Sequence, residues 1–264
     1  MRLTVTVITK NEAENLAAAL ASVAFADEII VVDAESTDDT VAIAKRFTDR
    51  VEVRAWPGYI AQKNYAASRA SHDWILSIDA DERVTPELSA SIRAALAHQP
   101  AHPAFRMKRV TWHLGRWIRS TDWYPDYQTR LYDRRSAEWT GKYVHEALTP
   151  RGSIGDLSGE LQHYPYRDVS DHLATIDRYT SLAARQMHEE GRSAGLLQLA
   201  AHPPLAFLRN YIARGGIMDG AAGLTISALN AYYVFLKFAK LRELQTVQGS
   251  EFRVQGSTNQ KPER

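Results

Sequence analysis

The sequence predicts an α/β fold: a doubly wound, mostly parallel sheet flanked by helices, followed by a helical region from residue 166 onward. Three observations carry that expectation. Over the first hundred residues, short β-branched runs alternate with Ala/Leu-rich stretches of helical period. Acidic side chains stand where the strand signals end, the edge at which open α/β sheets bind their ligands. Past residue 100 the texture changes, first to aromatic-rich mixed strand signals and then to long amphipathic stretches.

The elements follow in order. Leu3–Thr9 and Glu28–Asp33 read as the first two strands, with residues 11–25 between them helical and Leu16, Leu20 and Val23 on one face. Residues 36–39 resemble a capping box ahead of a helix over 41–47. A short strand over 51–54 and a helix over 59–71 lead to a buried strand, Trp74 to Ile78, ending at Asp79. Residues 86–97 form a helix with Pro86 at its start. Residues 104–163 hold four of the six Trp and mixed strand signals such as 129–132. Residues 168–190 are an amphipathic helix with Leu173, Ile176, Ala183 and Met187 near one face, and 204–214 and 221–243 are two more. The stretch from residue 246 to 264 is polar, lacks periodicity and is expected to be disordered.

Composition narrows the function classes. With 45% apolar and 24% charged residues, 264 residues suffice for one large globular domain or one and a half. The absence of Cys excludes disulfides, thiolate zinc sites, iron–sulfur clusters and cysteine nucleophiles. A formal net charge of +1 gives no electrostatic case for nucleic acid. The first nine residues read as a strand rather than a signal peptide. The longest uncharged stretch, 220–236, contains Thr225, Ser227 and Asn230 and is too short to span a bilayer. The first Gly is Gly58, which argues against dinucleotide and P-loop sites, since both need glycines directly after an early strand.

The sharpest local feature is Asp79-Ala80-Asp81 at a strand end. Carboxylates spaced i and i+2 can both reach one hard divalent cation, Mg²⁺ or Mn²⁺, which would keep positions open for phosphate oxygens. The competing reading is a solvated acidic turn before the helix at Pro86. Residues 106–135 carry eight Arg or Lys against three Asp, interleaved with Trp112, Trp117, Trp123, Tyr124 and Tyr127. Aromatic faces there could stack on sugars while Arg forks hold phosphate. Glu146, beside His145 and near Gly141, is a candidate general base. His163 is read as a structural His, or as an additional metal ligand.

The order Ile8-Thr9-Lys10-Asn11-Glu12, then residues 31–40 (VVDAESTDDT), then Gln62-Lys63-Asn64, then residues 74–82 (WILSIDADE) resembles the family 2 glycosyltransferases of GT-A fold. Residues 128–134 (QTRLYDR) and 139–146 (WTGKYVHE) are similar to the branch of lipopolysaccharide core β-1,4-glucosyltransferases that act on inner-core heptose. The resemblance implies a catalytic domain over 1–165, with a nucleotide-sugar half (1–100) and an acceptor half (101–165), then a helical region over 166–245. It implies that Thr9, Asn11, Glu12 and Asp33 line the nucleotide pocket, and that Lys63 and Asn64 lie by the diphosphate. Asp79 and Asp81 would be the metal motif, with Asp81 the direct ligand. Glu146 would be the catalytic base, and Gln128, Arg130 and His145 would shape the acceptor and diphosphate side. The implied reaction is inverting transfer of a hexose, glucose above all, from a UDP-sugar to a lipid-linked glycan. Its implied location is the cytoplasmic face of the inner membrane.

One departure stands out: many relatives read Asp-Asp-Gly-Ser after the second strand, where this chain has Asp33-Ala34-Glu35-Ser36. Two other classes fit poorly. A haloacid-dehalogenase phosphatase wants Thr or Val two residues past its second Asp, where Arg83 stands, and a nucleotidyltransferase wants a Gly-rich loop after the first strand. Two alternatives remain: a family 2 transferase acting on another cell-envelope glycan acceptor, and a non-catalytic nucleotide-sugar-binding module of the same fold. In the last helices, Leu205, Phe207, Leu208, Tyr211 and Ile212 lie beside Arg209 and Arg214. Tyr232, Tyr233, Phe235, Leu236 and Phe238 lie beside Lys237, Lys240 and Arg242. Such faces suit either an anionic membrane surface or packing on protein.

Overall fold

The computed structural model describes residues 1–142 and 145–257. Two compact units divide the chain: Met1–Arg119 with Trp123–Arg167, and Ser120–Asp122 with Asp168 onward.

The first unit is built on a nine-stranded mixed sheet. Its strands are β1 (Leu3–Thr9), β2 (Glu28–Asp33), β3 (Val51–Val53), β4 (Trp74–Asp79), β5 (Glu82–Val84), β6 (Ala104–His113), β7 (Arg116–Ile118), β8 (Asp126–Asp133) and β11 (Ile154–His163). The order is β3-β2-β1-β4-β8-β6-β11-β5, with β7 paired to β6. The alternation of strand and helix signals correctly predicts that β3, β2, β1 and β4 run parallel. Beyond β4 the sheet is not of that kind, because β8 pairs antiparallel with both β4 and β6, and β5 antiparallel with β11. β6 and β11 pair parallel, so this half is mixed, and its neighbours are brought together from segments far apart in the chain. β9 (Ala137–Lys142) and β10 (His145–Pro150) form a separate antiparallel ribbon.

Burial explains the strand sequences. All seven residues of β1 are buried, as expected of a strand covered on both faces. Leu3, Val5 and Val7 join Leu76 and Ile78 in a cluster with Leu16 and Leu20 of α1 (Leu16–Ser22), Ile43 and Ala44 of α2 (Thr40–Ala44), and Leu88 and Ile92 of α4 (Pro86–Ala97). Ile8, Ile30, Val32, Ile75 and Tyr132 form a second cluster with Ala66 and Ala70 from α3 (Tyr59–Ser68) and its end, and with Trp139 and Leu148 of the ribbon. The period-2 alternation of strand side chains thus sends α1, α2 and α4 to one core, and α3 with the ribbon to the other. The helix expected over 11–25 is confined to Leu16–Ser22, since residues 11–13 are committed to loop hydrogen bonds described below.

The second unit contains α5 (Val169–Glu189), α6 (Leu196–Leu208), a π-turn over Arg209–Ala213, a 3-10 turn over Gly216–Asp219, and α7 (Gly220–Ser257). Asp168 caps α5 by accepting from the Asp171 amide at 2.8 Å. The buried stripe of α5 is His172, Ile176, Thr180, Ala184 and Met187 rather than a Leu173–Ala183 face, and Leu173 is exposed. Helix α6 begins eight residues before the predicted 204 and runs through Pro203 and Pro204. Two prolines in succession suggest a break, yet none of the helix's residues is buried, so water can reach carbonyls left without a donor. Helix α7 extends to Ser257, past the point where the sequence suggests an unstructured tail, and 258–264 lie outside the described residues. Among the described residues no helix is long and apolar enough to cross a membrane.

Candidate active site

Parallel register aligns the ends of three strands: Thr9 lies opposite Asp33, and Ile8 opposite Asp79. The loops leaving β1 and β2 are laced together. The buried Asp33 carboxylate accepts from the Ser36 amide at 2.8 Å and the Ser36 hydroxyl at 2.5 Å, and the Ser36 hydroxyl accepts from the Asn11 amide at 2.8 Å. Asn11 Oδ1 accepts from the Thr37 amide at 2.8 Å, and the Glu12 amide donates to Thr40 Oγ1 at 2.8 Å. Asn11 adopts φ +54, a left-handed conformation that Asn tolerates better than most residues. Ser36 therefore ties the two loops rather than capping α2 in a capping box, and the N-cap of α2 is Asp39. Thr9 is buried in the same place, with a hydroxyl that has no hydrogen-bond partner among the described residues.

A buried cluster of charges lies at the end of β4. Asp79 Oδ2 accepts from Arg130 Nη2 at 2.6 Å, and its Oδ1 lies 3.3 Å from Lys63 Nζ. Glu82 is fully buried. Its Oε1 accepts from Arg130 at 2.8 Å and from Arg109 at 3.0 Å, and its Oε2 accepts from the Asp79 amide at 3.0 Å. Arg109 reaches on to Asp126 at 2.7 Å, and Gln128 donates to the other oxygen of Asp126 at 2.8 Å. Burial pushes the Asp79 carboxyl up, but the Arg130 and Lys63 charges outweigh it and hold it far below the usual carboxylate range. Burial likewise works against the charged Arg130, and Asp79 and Glu82 overcome it. Asp79 thus lies between two cations, Lys63 and Arg130, while Asp81 faces His163. Arg130, 3% exposed, joins the carboxylates of Asp79 and Glu82.

Asp81 turns elsewhere. Its Oδ2 lies 3.3 Å from His163 Nε2, and the other ring nitrogen of His163 is 3.4 Å from Thr111 Oγ1. Burial would raise the Asp81 carboxyl, but the facing His163 brings it below the ordinary range. Strand pairing makes this meeting obligatory: His163 lies beside Thr111 on β6 and beside Glu82 on β5, one residue from Asp81. A carboxylate oxygen and an imidazole nitrogen so converged fit a divalent cation, Mn²⁺ more readily than Mg²⁺ given the nitrogen. Among the described residues no third His, Asp or Glu joins them.

Glu146 stands on β10 opposite Gly141, partly exposed, with Oε1 3.4 Å from Lys63 Nζ. The Lys63 ammonium therefore bridges Asp79 and Glu146, and it lies 4.5 Å from the centre of the Trp139 ring. Arg130 lies 5.7 Å from the same ring. Asn64 docks the ribbon to α3, donating to the Trp139 carbonyl at 2.9 Å and accepting from its amide at 3.0 Å. Trp139 Nε1 donates to the Tyr132 hydroxyl at 3.2 Å, and burial pushes that phenol up to about 12, so it stays protonated. Val144 lies outside the described residues, and of His145 only the backbone is described.

The structure thus gathers Asp79, Lys63, Glu146, Gln128 and Arg130 into one connected network, with Asp81 and His163 beside it. Thr9, Asn11, Glu12 and Asp33 belong to the neighbouring strand-end loops. Sequence reasoning missed Glu82, Arg109 and Trp139 as parts of the network. The available signal was an acid inside the 79–82 run and a basic residue in β6 at buried strand positions, where charges persist only when paired.

Residues 4–157 match the model of a family described as glycosyl transferase family 2. An uncharacterized glycosyltransferase of Rickettsia felis is 32% identical over 252 residues, spanning 90% of this chain and 88% of the relative. A lipopolysaccharide core biosynthesis glycosyltransferase, LpsC of Rhizobium meliloti, is 29% identical over 242 residues, spanning 89% and 90%. Among solved structures, residues 1–349 of S. aureus TarS in complex with UDP-GlcNAc superpose with a TM-score of 0.48 at 16% identity, covering 94% of this chain and 92% of that one.

Proposed function

This chain belongs to glycosyl transferase family 2, with the GT-A type fold expected of it, and from that membership we propose that it transfers a hexose, glucose above all, from a UDP-sugar to a lipopolysaccharide-core heptose or similar lipid-linked glycan, with inversion at the anomeric carbon. The observation that carries the reading is Lys63, whose one ammonium lies 3.3 Å from Asp79 and 3.4 Å from Glu146. It couples the strand end expected to face the donor to the ribbon carrying the expected base. The resemblance to LpsC supports the choice of acceptor. The reaction belongs at the cytoplasmic face of the membrane, where UDP-sugars are made.

Lys63 fixes Glu146 through Oε1, leaving Oε2 to take the proton from an acceptor hydroxyl. The hydroxyl oxygen then bonds to the anomeric carbon from the side opposite the diphosphate. The bond from that carbon to the diphosphate oxygen breaks, and its electron pair leaves with UDP. A positioned base contributes about 10²–10⁴-fold. Asp81 and His163 would hold a divalent cation, which when bound neutralises charge on the departing diphosphate. Thr111 orients the His163 ring for that role, as outer partners of metal-binding imidazoles do. Thr9, Asn11, Glu12 and Asp33 border the nucleotide, while Gln128 faces the acceptor side.

Calorimetric titration of UDP-sugars into the protein, with and without Mn²⁺ or Mg²⁺, tests this reading. Metal-dependent binding that ranks UDP-glucose first and is lost in Asp81→Ala is the expected result. Failure of folded protein to bind any nucleotide sugar would remove the donor half of the proposal.

A further inference from the structure

The second unit exposes apolar surface that its own core does not use. None of the residues of α6 is buried, although the helix reads Leu-Leu-Gln-Leu-Ala-Ala-His-Pro-Pro-Leu-Ala-Phe-Leu. Leu196 is 73% exposed, Leu197 72%, Leu205 61% and Leu208 48%. The surface continues through Ile212 at 64%, Ile217 at 60% and Met218 at 83% to Leu224 at the start of α7. Leu197, Leu205, Leu208 and Ile212 recur at helical spacing, so they form a stripe rather than a scatter. Single exposed apolar residues need no explanation, but a contiguous run of this size marks a binding surface.

Charge identifies the occupant. From Gly191 to Arg242 the chain carries six Lys or Arg (192, 209, 214, 237, 240 and 242) against one acid, Asp219. That acid is buried and accepts from the Ser120 hydroxyl at 2.5 Å. Glu189, Glu190 and Glu243 bracket this stretch, and Arg192 and Lys240 pair with Glu190 and Asp177, so the local excess of positive charge lies at the stripe itself, where Arg209 and Arg214 share one acid. Arg209 and Arg214 flank the stripe directly, both anchored on Asp122, with guanidinium groups more than half exposed. A protein partner would meet the apolar stripe as well, but two exposed guanidiniums sharing a single carboxylate at its edge favour an anionic surface. Apolar side chains rimmed by cations are the composition of segments that lie in the headgroup region of an acidic bilayer.

We propose that α6 and the turns after it, through Met218, form a docking face that inserts Leu197, Leu205, Leu208, Ile212 and Met218 into the surface of an anionic lipid bilayer. Its use, bringing the enzyme to an acceptor that is itself lipid-linked, rests on the function proposed above. The lipid contact does not depend on it.

Flotation with vesicles of phosphatidylcholine alone, and of equal parts phosphatidylcholine and phosphatidylglycerol, tests the face. The wild-type chain should float with the phosphatidylglycerol vesicles, less so as salt rises and weakly with phosphatidylcholine alone. Replacing Leu197, Leu205, Ile212 and Met218 together by Ser should weaken partitioning by about tenfold or more. All four are exposed, so circular dichroism and UDP-sugar titration of this variant should match wild type. No flotation of the wild-type chain, or equal flotation of the variant, would overturn the proposal. So would a wild-type dimer that the variant dissolves without any vesicle binding, since the face would then be a contact between copies. Flotation without sugar transfer to a lipid acceptor would keep the face and remove the acceptor. Transfer to a water-soluble sugar without flotation would do the reverse.

Discussion

Glu146 shares Lys63 with Asp79, and the three side chains answer differently to substitution. Glu146→Gln keeps the shape and removes the proton acceptor. Steady-state transfer should fall by about 10²–10⁴-fold, while calorimetric affinity for the donor changes little. Asp79→Asn should act on the fold first, because it leaves the buried Lys63 and Arg130 with one acid fewer. Removing one partner of a buried pair costs about 3–5 kcal/mol, and urea denaturation measures it. Asp81→Asn removes only the acid facing His163 at 3.3 Å, so its stability should stay near wild type while metal-dependent donor binding falls. This contrast tests whether the two carboxylates of one Asp-x-Asp take different roles. The motif itself was legible because two acids end an apolar strand. Their different partners were not, because Lys63 and Arg130 approach Asp79 from α3 and β8 far along the chain. Glu146 stood out in the sequence as one of many possible bases, and the family resemblance singled it out, since His-Glu is an ordinary pair by composition.

Among the elements, β11 shows how a strand is shaped by one residue. Its register against β6 shifts between Asp156 and Glu160, and Gly159 sits there at φ +87. A Cβ on Gly159 would lie 2.3 Å from the Leu88 amide nitrogen and 2.7 Å from the Leu88 Cα, both in the backbone of α4. Gly159→Ala should therefore lower the thermal midpoint by several degrees, through strain of about 1–3 kcal/mol. The same change moves the strand bearing His163, so affinity for Mn²⁺ should drop with it. The parallel half of the sheet was readable from alternating patterns, because each strand is followed by its own helix. The half from β5 to β11 was not, because the order β8-β6-β11-β5 is set by cross-strand pairing between distant segments. The π-turn after α6 and the extension of α7 likewise left no local signal.

Over the whole molecule, acid should be the main threat to stability. Glu28, Asp38, Glu52, Asp79, Asp81, Asp133, Asp156 and Glu160 all have carboxyls held below their ordinary range, each by hydrogen bonds or facing cations. With folded values below unfolded ones, the unfolded chain binds more protons, and stability falls as pH drops through and below about 4. Thermal midpoints should hold from neutral pH to about 5 and then decline steeply. Glu28 contributes by joining three elements, accepting from Thr4 at 2.6 Å, the Ser71 amide at 2.8 Å and Arg50 at 2.7 Å. Glu28→Gln should cost about 1–3 kcal/mol at neutral pH and much less near pH 3, which scanning calorimetry at both values would check.

The ribbon of β9 and β10 shares no backbone ladder with the nine-stranded sheet. It is moored by Asn64, by the Trp139 indole on Tyr132 and by the Lys63 contact, all side-chain bonds that point substitutions can retune singly. The piece that carries Glu146 is thus interchangeable in a way the strand ends are not. Substitutions in the ribbon can shift Glu146 while the loops after β1 and β2 stay as they are.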